Sequence, residues 1–106
     1  MEFSRVDRDK MTVVNVRGEV DMRSSPELRE ELLRISKTSV PHIAVNLEHV
    51  RYIDSSGIAT LIECLKNVSH YGGRLTLLGV NDDIYPVFEL ARLHTVFDLR
   101  RDTKTD

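Results

Sequence analysis

The first apolar positions of the chain alternate with polar ones. Val14 and Val16 alternate with Asn15 and Arg17, which is the two-residue period of a half-buried β-strand. The polar run from Asp7 to Lys10 interrupts the apolar pattern and indicates a turn. The pattern therefore predicts that two short strands joined by a turn begin the fold.

The pattern then changes to the period of a helix. Ser24 has the spacing to Glu27 of a capping box, and a proline in the first turn suits a helix start. Apolar residues recur every three to four positions between 28 and 35. On the opposite face, Glu30 and Arg34 have the spacing of a favourable ion pair. These signals predict a first helix over about residues 25–37.

A buried strand and the clearest helical pattern of the chain follow. Alternation over residues 42–48 predicts a largely buried strand. Apolar residues then recur at helical spacing from Ile58 to Val68, and the pair Gly72–Gly73 is a typical helix stop. We therefore expect a second helix from about 55 to 70.

The last third of the chain predicts three more elements. Residues 74–80 are typical of a strand, and Asn81 to Asp83 form a polar cap before a third helix. Residues 96–99 predict a last short strand. Beyond about residue 101 the chain is charged, and we expect this tail to fray.

The order β-β-α-β-α-β-α-β predicts one α/β domain over residues 1–106. We expect a mixed, mostly parallel sheet of four to five strands, covered by three to four helices. In parallel units the strand-to-helix turns emerge at the same edge of the sheet, where α/β domains place their sites. Three such turns, at 18–21, 51–57 and 81–83, should therefore be neighbours in space.

Composition narrows the function classes. The 106 residues carry a formal net charge of −2, with 30% charged and 41% hydrophobic residues, as in ordinary soluble domains. No basic excess favours nucleic acid or an anionic membrane surface. The lone Cys64 forms no internal disulfide and is best interpreted as a small hydrophobic residue on a helix. Without an apparent signal segment or long apolar run, the expected location is the cytoplasm.

The most distinctive chemistry lies in the segment DSSG at residues 54–57. Ser55 begins the second helix, where free amides and the helix dipole favour an anion such as a phosphoryl group. Gly57 would let the backbone of another molecule approach closely. A simpler role is also open, because a serine or aspartate N-cap stabilises a helix by about 1 kcal/mol. The spacing alone favours the cap.

Catalysis and metal binding have weaker support. A nucleophile elbow requires glycine two residues before the serine, and Ile53 occupies that place. The histidines lie at strand or helix ends, away from the predicted edge: 42, 49, 70 and 94. Four aspartates suggest an acidic rim at 21, 54, 82 and 83, but no ligand spacing such as HxxxH or CxxC accompanies them. We expect no cofactor and no metal.

Several segments together resemble a known family. They are GEVD at 18–21, SSPELREEL at 24–32, IAVNLEHVRYIDSSGIATLIE at 43–63, GGRLTLLGV at 72–80 and VFELARLHTVF at 87–97. Their combination resembles the STAS domain of bacterial anti-sigma factor antagonists across nearly the whole chain. The strand followed by DSSG and a helix is the most specific part.

The resemblance implies a regulatory protein without catalytic activity. It implies that Ser55, with Ser56 as the fallback, is phosphorylated by an anti-sigma factor serine kinase with a histidine-kinase-like ATPase fold. The unphosphorylated form would bind this kinase and release the sigma factor, and a PP2C-type phosphatase would reset the phosphorylated form. Asp21, Asp54, Ser56 and Gly57 would contact the partner. The implied state is a monomer or weak dimer that binds neither nucleic acid nor membrane directly.

One departure and two alternatives accompany this resemblance. Many relatives have glycine near the end of the third helix, where this chain has Arg92, which we expect to be solvated rather than to cap carbonyls. A STAS subunit of a membrane transport complex is one alternative function. A scaffold subunit of a large stress-signalling assembly is the other. An intrinsic hydrolase is a distant further option.

Overall fold

The computed structural model describes residues 1–105 and forms one five-stranded sheet in the order β1-β2-β3-β4-β5. The elements are β1 (Glu2–Arg8), β2 (Met11–Val20), α1 (Ser25–Lys37), β3 (His42–Ile53), α2 (Ser55–His70), β4 (Arg74–Leu78), α3 (Tyr85–Leu90) and β5 (Asp98–Leu99). This order and the α/β fold class confirm the sequence prediction.

The sheet is antiparallel only between β1 and β2. From β2 to β5 every neighbouring pair is parallel, with Val45 of β3 opposite Val14 on one side and Leu77 on the other. These aliphatic residues are fully buried. A continuous row of buried β-branched and aliphatic residues is typical of strands whose faces are both covered.

The two faces of the sheet differ in how they are covered. On the front face, α1 and α2 pack their apolar sides onto the strands and enclose the main core, which includes Leu32, Leu61 and Phe88. The back face carries a smaller cluster formed by Val13, Ala44 and Leu78 with Met11 beside it, which we call the back-face cluster.

The bounds of α1 and α2 agree with their predicted ranges, whereas the later elements differ. β3 continues to Ile53, because pairing with β2 holds the chain extended up to the start of α2. α3 is short and begins at Tyr85, without a side-chain cap from the preceding polar turn. β4 ends at Leu78, and β5 contains only Asp98 and Leu99.

Two predicted contacts of α1 are wrong. Ser24 occupies the N-cap position, but its hydroxyl makes no capping bond and instead donates to the carbonyl of Glu19 at 2.8 Å. Arg34 pairs with Glu31 at 2.8 Å and not with Glu30. Glu31 is nearly buried while Glu30 is exposed, so the buried carboxylate takes the guanidinium.

The charged tail packs onto the sheet up to residue 105, which differs from the expected fraying; Asp106 lies outside the described residues. The Gly79 amide donates to the Asp102 carbonyl at 2.7 Å, and the Arg8 guanidinium donates to the Thr105 hydroxyl at 3.0 Å. The tail thus crosses from β4 towards β1.

The end of α3 shows how the chain accommodates the arginine that departs from the family pattern. Arg92 has a φ of +58°, the left-handed conformation that usually favours glycine after a helix. Its amide donates to the carbonyl of Glu89 at 2.9 Å, and its side chain is exposed, as the sequence predicted. A left-handed backbone costs a non-glycine residue on the order of 1 kcal/mol.

Candidate functional site

The carboxyl ends of the parallel strands bring the three predicted turns together. The Asp54 amide donates to the Val20 carbonyl at 3.1 Å, which joins the turns after β3 and β2. The side-chain amide of Asn81 donates to the carbonyl of Val50 at 2.9 Å, which ties the turn after β4 to β3. We call this region, formed by residues 18–24, 51–57 and 81–83, the carboxyl edge.

Asp54 is the N-cap of α2. Its extended backbone, with φ −106° and ψ −172°, lets one carboxylate oxygen accept the amides of Ser56 at 2.9 Å and Gly57 at 3.2 Å. The Ser56 hydroxyl donates to the same oxygen at 2.5 Å. The capping function left open by the sequence therefore belongs to Asp54, and Ser55 is free of it.

The same contacts change the acidity of Asp54. The hydrogen bond from the Ser56 hydroxyl is the largest influence and lowers the pKa of this carboxyl below its ordinary value. The amides of Gly57, Ser56 and Met22 lower the pKa further, while partial burial acts in the opposite direction. The hydrogen bonds of the turn therefore favour the ionised form of the Asp54 carboxyl.

The two neighbouring serines have different surroundings. Ser55 is exposed, and within residues 1–105 its hydroxyl has no side-chain hydrogen bond. The Ser56 hydroxyl donates to Asp54 and also accepts from the Ser25 hydroxyl at 3.2 Å. Ser56 thus joins the starts of the two helices, whereas the oxygen of Ser55 is available to another molecule.

The structure corrects the expected role of Gly57. This residue is buried, and a Cβ placed on it would lie 2.6 Å from Cγ1 of Ile53 and 2.8 Å from Cγ1 of Val20. Both distances are shorter than real carbon contacts. Gly57 therefore lets the first turn of α2 approach the ends of β2 and β3, and little of its own surface is exposed.

Asp21 is held in the turn between β2 and α1. Its carboxylate accepts the Arg23 amide at 2.9 Å and the Ser24 amide at 3.2 Å, which is the geometry of an aspartate turn. The residue is half-buried, and the hydrogen bonds from these two amides go to the same carboxylate oxygen, Oδ1. Asp21 both shapes the turn and contributes charge to the carboxyl edge.

The carboxyl edge is acidic overall, because its five carboxylates outnumber two arginines: Glu19, Asp21, Asp54, Asp82 and Asp83 against Arg23 and Arg51. An open cavity of about 620 Å³ is lined by Arg17, Gly18, Glu48, His49, Arg51, Asn81 and Asp83. Two arginines and two carboxylates therefore line this cavity. Within residues 1–105 no group of three or more His, Cys, Asp or Glu side chains is placed to hold a metal ion.

The sequence pattern missed one exposed apolar residue at this edge. Met22 is 76% exposed in the turn that follows Asp21, and its amide faces Asp54. A large apolar side chain that is exposed beside a polar site is typical of a contact surface. The available signal was an apolar residue inside a polar turn, outside the period of either flanking element.

Two groups away from the edge agree with their simpler interpretations. Cys64 is buried on α2, and burial raises the pKa of its thiol to about 12, which leaves it unreactive at neutral pH. None of the helices within residues 1–105 combines the length and the apolar character that a membrane crossing requires.

Comparison with known proteins identifies relatives of the whole fold. The family model of the STAS domain matches residues 2–105. The anti-sigma-B factor antagonist of Staphylococcus aureus is 34% identical over 99 residues, which cover 93% of this chain and 92% of that protein.

Two solved structures have the same fold at low identity. An anti-sigma-factor antagonist (STAS) domain protein from Planctomyces limnophilus has a TM-score of 0.83 at 19% identity, covering 96% of this chain and 91% of that one. The Bacillus cell fate determinant SpoIIAA in its phosphorylated form has a TM-score of 0.74 at 20% identity. The match covers 92% of this chain and 90% of that one. The chain therefore belongs to the STAS domain family, and its curated relatives are named anti-sigma-B factor antagonists.

Proposed function

We propose that this protein is an anti-sigma factor antagonist that works by partner switching, with Ser55 as its phosphorylation site. The unphosphorylated protein binds an anti-sigma factor that is also a serine kinase with a histidine-kinase-like ATPase fold, and this binding releases the sigma factor. Phosphorylation of Ser55 ends the binding, and a PP2C-type phosphatase restores it. The S. aureus relative and the phosphorylated form of SpoIIAA support the proposal.

The observation that carries the proposal is the difference between the two serines. A kinase needs a hydroxyl that reaches its ATP, and the Ser55 hydroxyl is exposed without a side-chain partner in residues 1–105. Phosphorylation of Ser56 would first break its bonds to Asp54 and Ser25. The acceptor predicted from the resemblance is thus also the more accessible one.

The occupied N-terminus of α2 suggests how the phosphate acts. Asp54 already accepts the amides of Ser56 and Gly57, so these donors are not free to hold a phosphate on Ser55. The phosphate would instead add about −1.5 to −2 charges to the exposed surface. A partner surface fitted to a neutral serine would then meet an unpaired, hydrated charge, which opposes close contact.

The partner-binding surface includes the residues around this acceptor. Asp21 and Asp54 supply carboxylate oxygens, Ser56 fixes the position of Asp54, and Met22 supplies an exposed apolar contact. An exposed methionine beside charged groups suits the apolar centre and polar rim of a protein interface. Gly57 contributes indirectly, by allowing the helix to pack.

The first test is the intact mass of the protein isolated from its native cells, with and without phosphatase treatment. We expect a phosphatase-sensitive phosphate that is lost in Ser55→Ala and kept in the matched variant Ser56→Ala. A phosphate on Ser56 would contradict the assignment. The absence of phosphate under every growth condition, including stress, would favour the transport-subunit function.

A binding test separates charge from shape. With the kinase recovered from the same cells, Ser55→Ala should bind regardless of ATP, whereas Ser55→Asp should bind poorly because it places a permanent charge at the contact. Equal affinities of the two variants would contradict partner switching through Ser55. Size-exclusion chromatography of the free protein should show a small species, and a large particle would instead favour the scaffold function.

A further inference from the structure

A second polar cavity lies on the back face of the sheet. Its volume is about 120 Å³, well above the roughly 10–15 Å³ that one water molecule requires. The back-face cluster forms its apolar floor. Its polar walls come from β3, β4 and the C-terminal tail: His42, Arg74, Thr76, Arg100, Lys104 and Thr105.

Positive charge dominates the walls of this back-face cavity. Asp98 is the carboxylate that neutralises part of it, at 3.0 Å from Arg74 and 3.5 Å from Arg100. Lys104 has no carboxylate within 4 Å among residues 1–105. Within residues 1–105, three cationic side chains that line the cavity therefore share one carboxylate, which gives this part of the chain a net positive site.

A hydrogen-bonded chain fixes the orientation of one wall. The Thr76 hydroxyl donates to Asp98 at 2.9 Å, so at 2.8 Å it accepts the proton carried by Nε2 of His42. Thr76 is 1% exposed, so the central hydroxyl of this chain is shielded from water, while His42 and Asp98 are half-buried. This fixed ring leaves Nδ1 of His42 as the group that gains or loses a proton.

The arginines keep donors free for a ligand. Each guanidinium has five N–H groups, and the bonds to Asp98 use only part of them. Arginine suits tetrahedral oxyanions because its planar fork donates two parallel hydrogen bonds. The hydroxyl of Thr105 and the ammonium of Lys104 line the same space and add further donors.

We propose that the back-face cavity binds a tetrahedral oxyanion of the phosphate or sulfate class, either free or as the terminal group of a larger phosphorylated compound. Arg74, Arg100 and Lys104 donate to its oxygens, and the C-terminal tail closes the site. The cavity lies on the face of the sheet opposite to the helices α1 and α2, whose starts carry Ser55 and Ser56. The inference therefore does not depend on the proposed switch.

The acidity of His42 provides an internal reporter for such binding. Burial lowers the pKa of His42, and the charges of Arg74 and Arg100 lower it further, while Asp98 acts in the opposite direction. A bound anion would offset the cationic neighbours and favour the protonated ring. The pKa of His42 should therefore rise when the site is occupied.

The test is a titration of the ¹⁵N-labelled full chain with sodium phosphate, with sodium chloride of equal ionic strength as the reference. We expect saturable shifts of the amides at 74–78 and 100–105, and a rise in the pKa of His42 measured on its ring resonances. Arg100→Gln and Lys104→Gln should each weaken binding about tenfold, as expected for a lost charge-assisted hydrogen bond. Lys66→Gln on the exposed side of α2 is the matched control and should bind normally.

The outcomes distinguish the source of the anion. Saturation by inorganic phosphate with no displacement by phosphoserine or adenosine monophosphate identifies a free anion, and tighter binding of either monoester identifies a terminal group. Amide chemical-shift changes that match those in sodium chloride, or changes confined to residues 55–58, would overturn the proposal. If Arg100→Gln does not fold, Lys104→Gln decides, because its side chain is exposed and makes no ion pair within residues 1–105.

Discussion

Replacing Asp54 by alanine should destabilise the domain measurably, because one carboxylate oxygen receives three hydrogen bonds. The donors are the amides of Ser56 and Gly57 and the hydroxyl of Ser56, at 2.9, 3.2 and 2.5 Å. Loss of an N-cap alone costs about 1 kcal/mol and at most about 2. The Ser56 hydroxyl keeps its contact with Ser25, which limits the additional cost. We expect a loss of about 1–2 kcal/mol.

Urea unfolding followed by circular dichroism measures this loss. A change of 1 kcal/mol corresponds to about 4–8 °C in melting temperature for a domain of this size, so thermal unfolding provides a second readout. Asp54→Asn should retain most of the stability, since asparagine caps almost as well as aspartate. Asp83→Ala, an exposed aspartate at the same edge, is the position control and should change stability by less than about 0.5 kcal/mol.

The contribution of Asp54 should also depend on pH. Its pKa is lowered in the folded protein, so the stabilisation is fully present above the unfolded value of 3.8 and is lost as pH falls through the folded value. The stability difference between the wild type and Asp54→Ala should therefore shrink below about pH 4. Equal stability of the two proteins at pH 7, or a difference that stays constant down to pH 2, would refute this account of the cap.

Two further substitutions and one truncation follow from the packing. Gly57→Ala should cost about 1–2 kcal/mol in urea unfolding, because the new Cβ would overlap Ile53 and Val20; a neutral effect would show that these side chains move aside. Arg92→Gly should stabilise by about 0.5–1 kcal/mol by relieving the left-handed backbone, and destabilisation would indicate that flexibility of the unfolded chain dominates. Removal of residues 101–106 should cost at least about 1 kcal/mol and expose the back-face cluster to hydrophobic dyes, whereas an unchanged melting temperature would mean that the tail contributes no stability.

The features that the sequence predicted well depend on local signals. The apolar period and the flanking Gly72–Gly73 pair define α2 without reference to the rest of the chain. Parallel topology then follows from the order of the elements, and it brings the turns near Val20 and Asp54 together. These predictions rest on the local apolar pattern and on the order of the elements, so a single sequence is sufficient to make them.

Two of the mispredicted features depend on partners distant in sequence, and one depends on a neighbour in the preceding strand. Gly57 faces Val20, which lies 37 positions earlier, so no local pattern distinguishes its packing role from an open approach. The charged tail resembles a frayed end, yet its backbone bonds to Gly79. Ser24 has the spacing of a capping box, but the carbonyl of Glu19 at the end of β2 takes its hydroxyl. Distant contacts override the local preference of Gly57 and of the tail, whereas a competing acceptor only five residues away overrides that of Ser24.

Asp54 and the two serines have different roles at the start of α2, and this difference explains why a modification of Ser55 need not disturb the fold. The groups that stabilise the start of α2 are the carboxylate of Asp54 and the hydroxyl of Ser56, and both are engaged inside the turn. Ser55 contributes its backbone to the helix, while its hydroxyl makes no side-chain bond within residues 1–105. A covalent group on that oxygen would leave the cap intact and change only the charge that another protein meets. Because the cap is a separate residue, a charge added to Ser55 can alter binding while the domain stays folded.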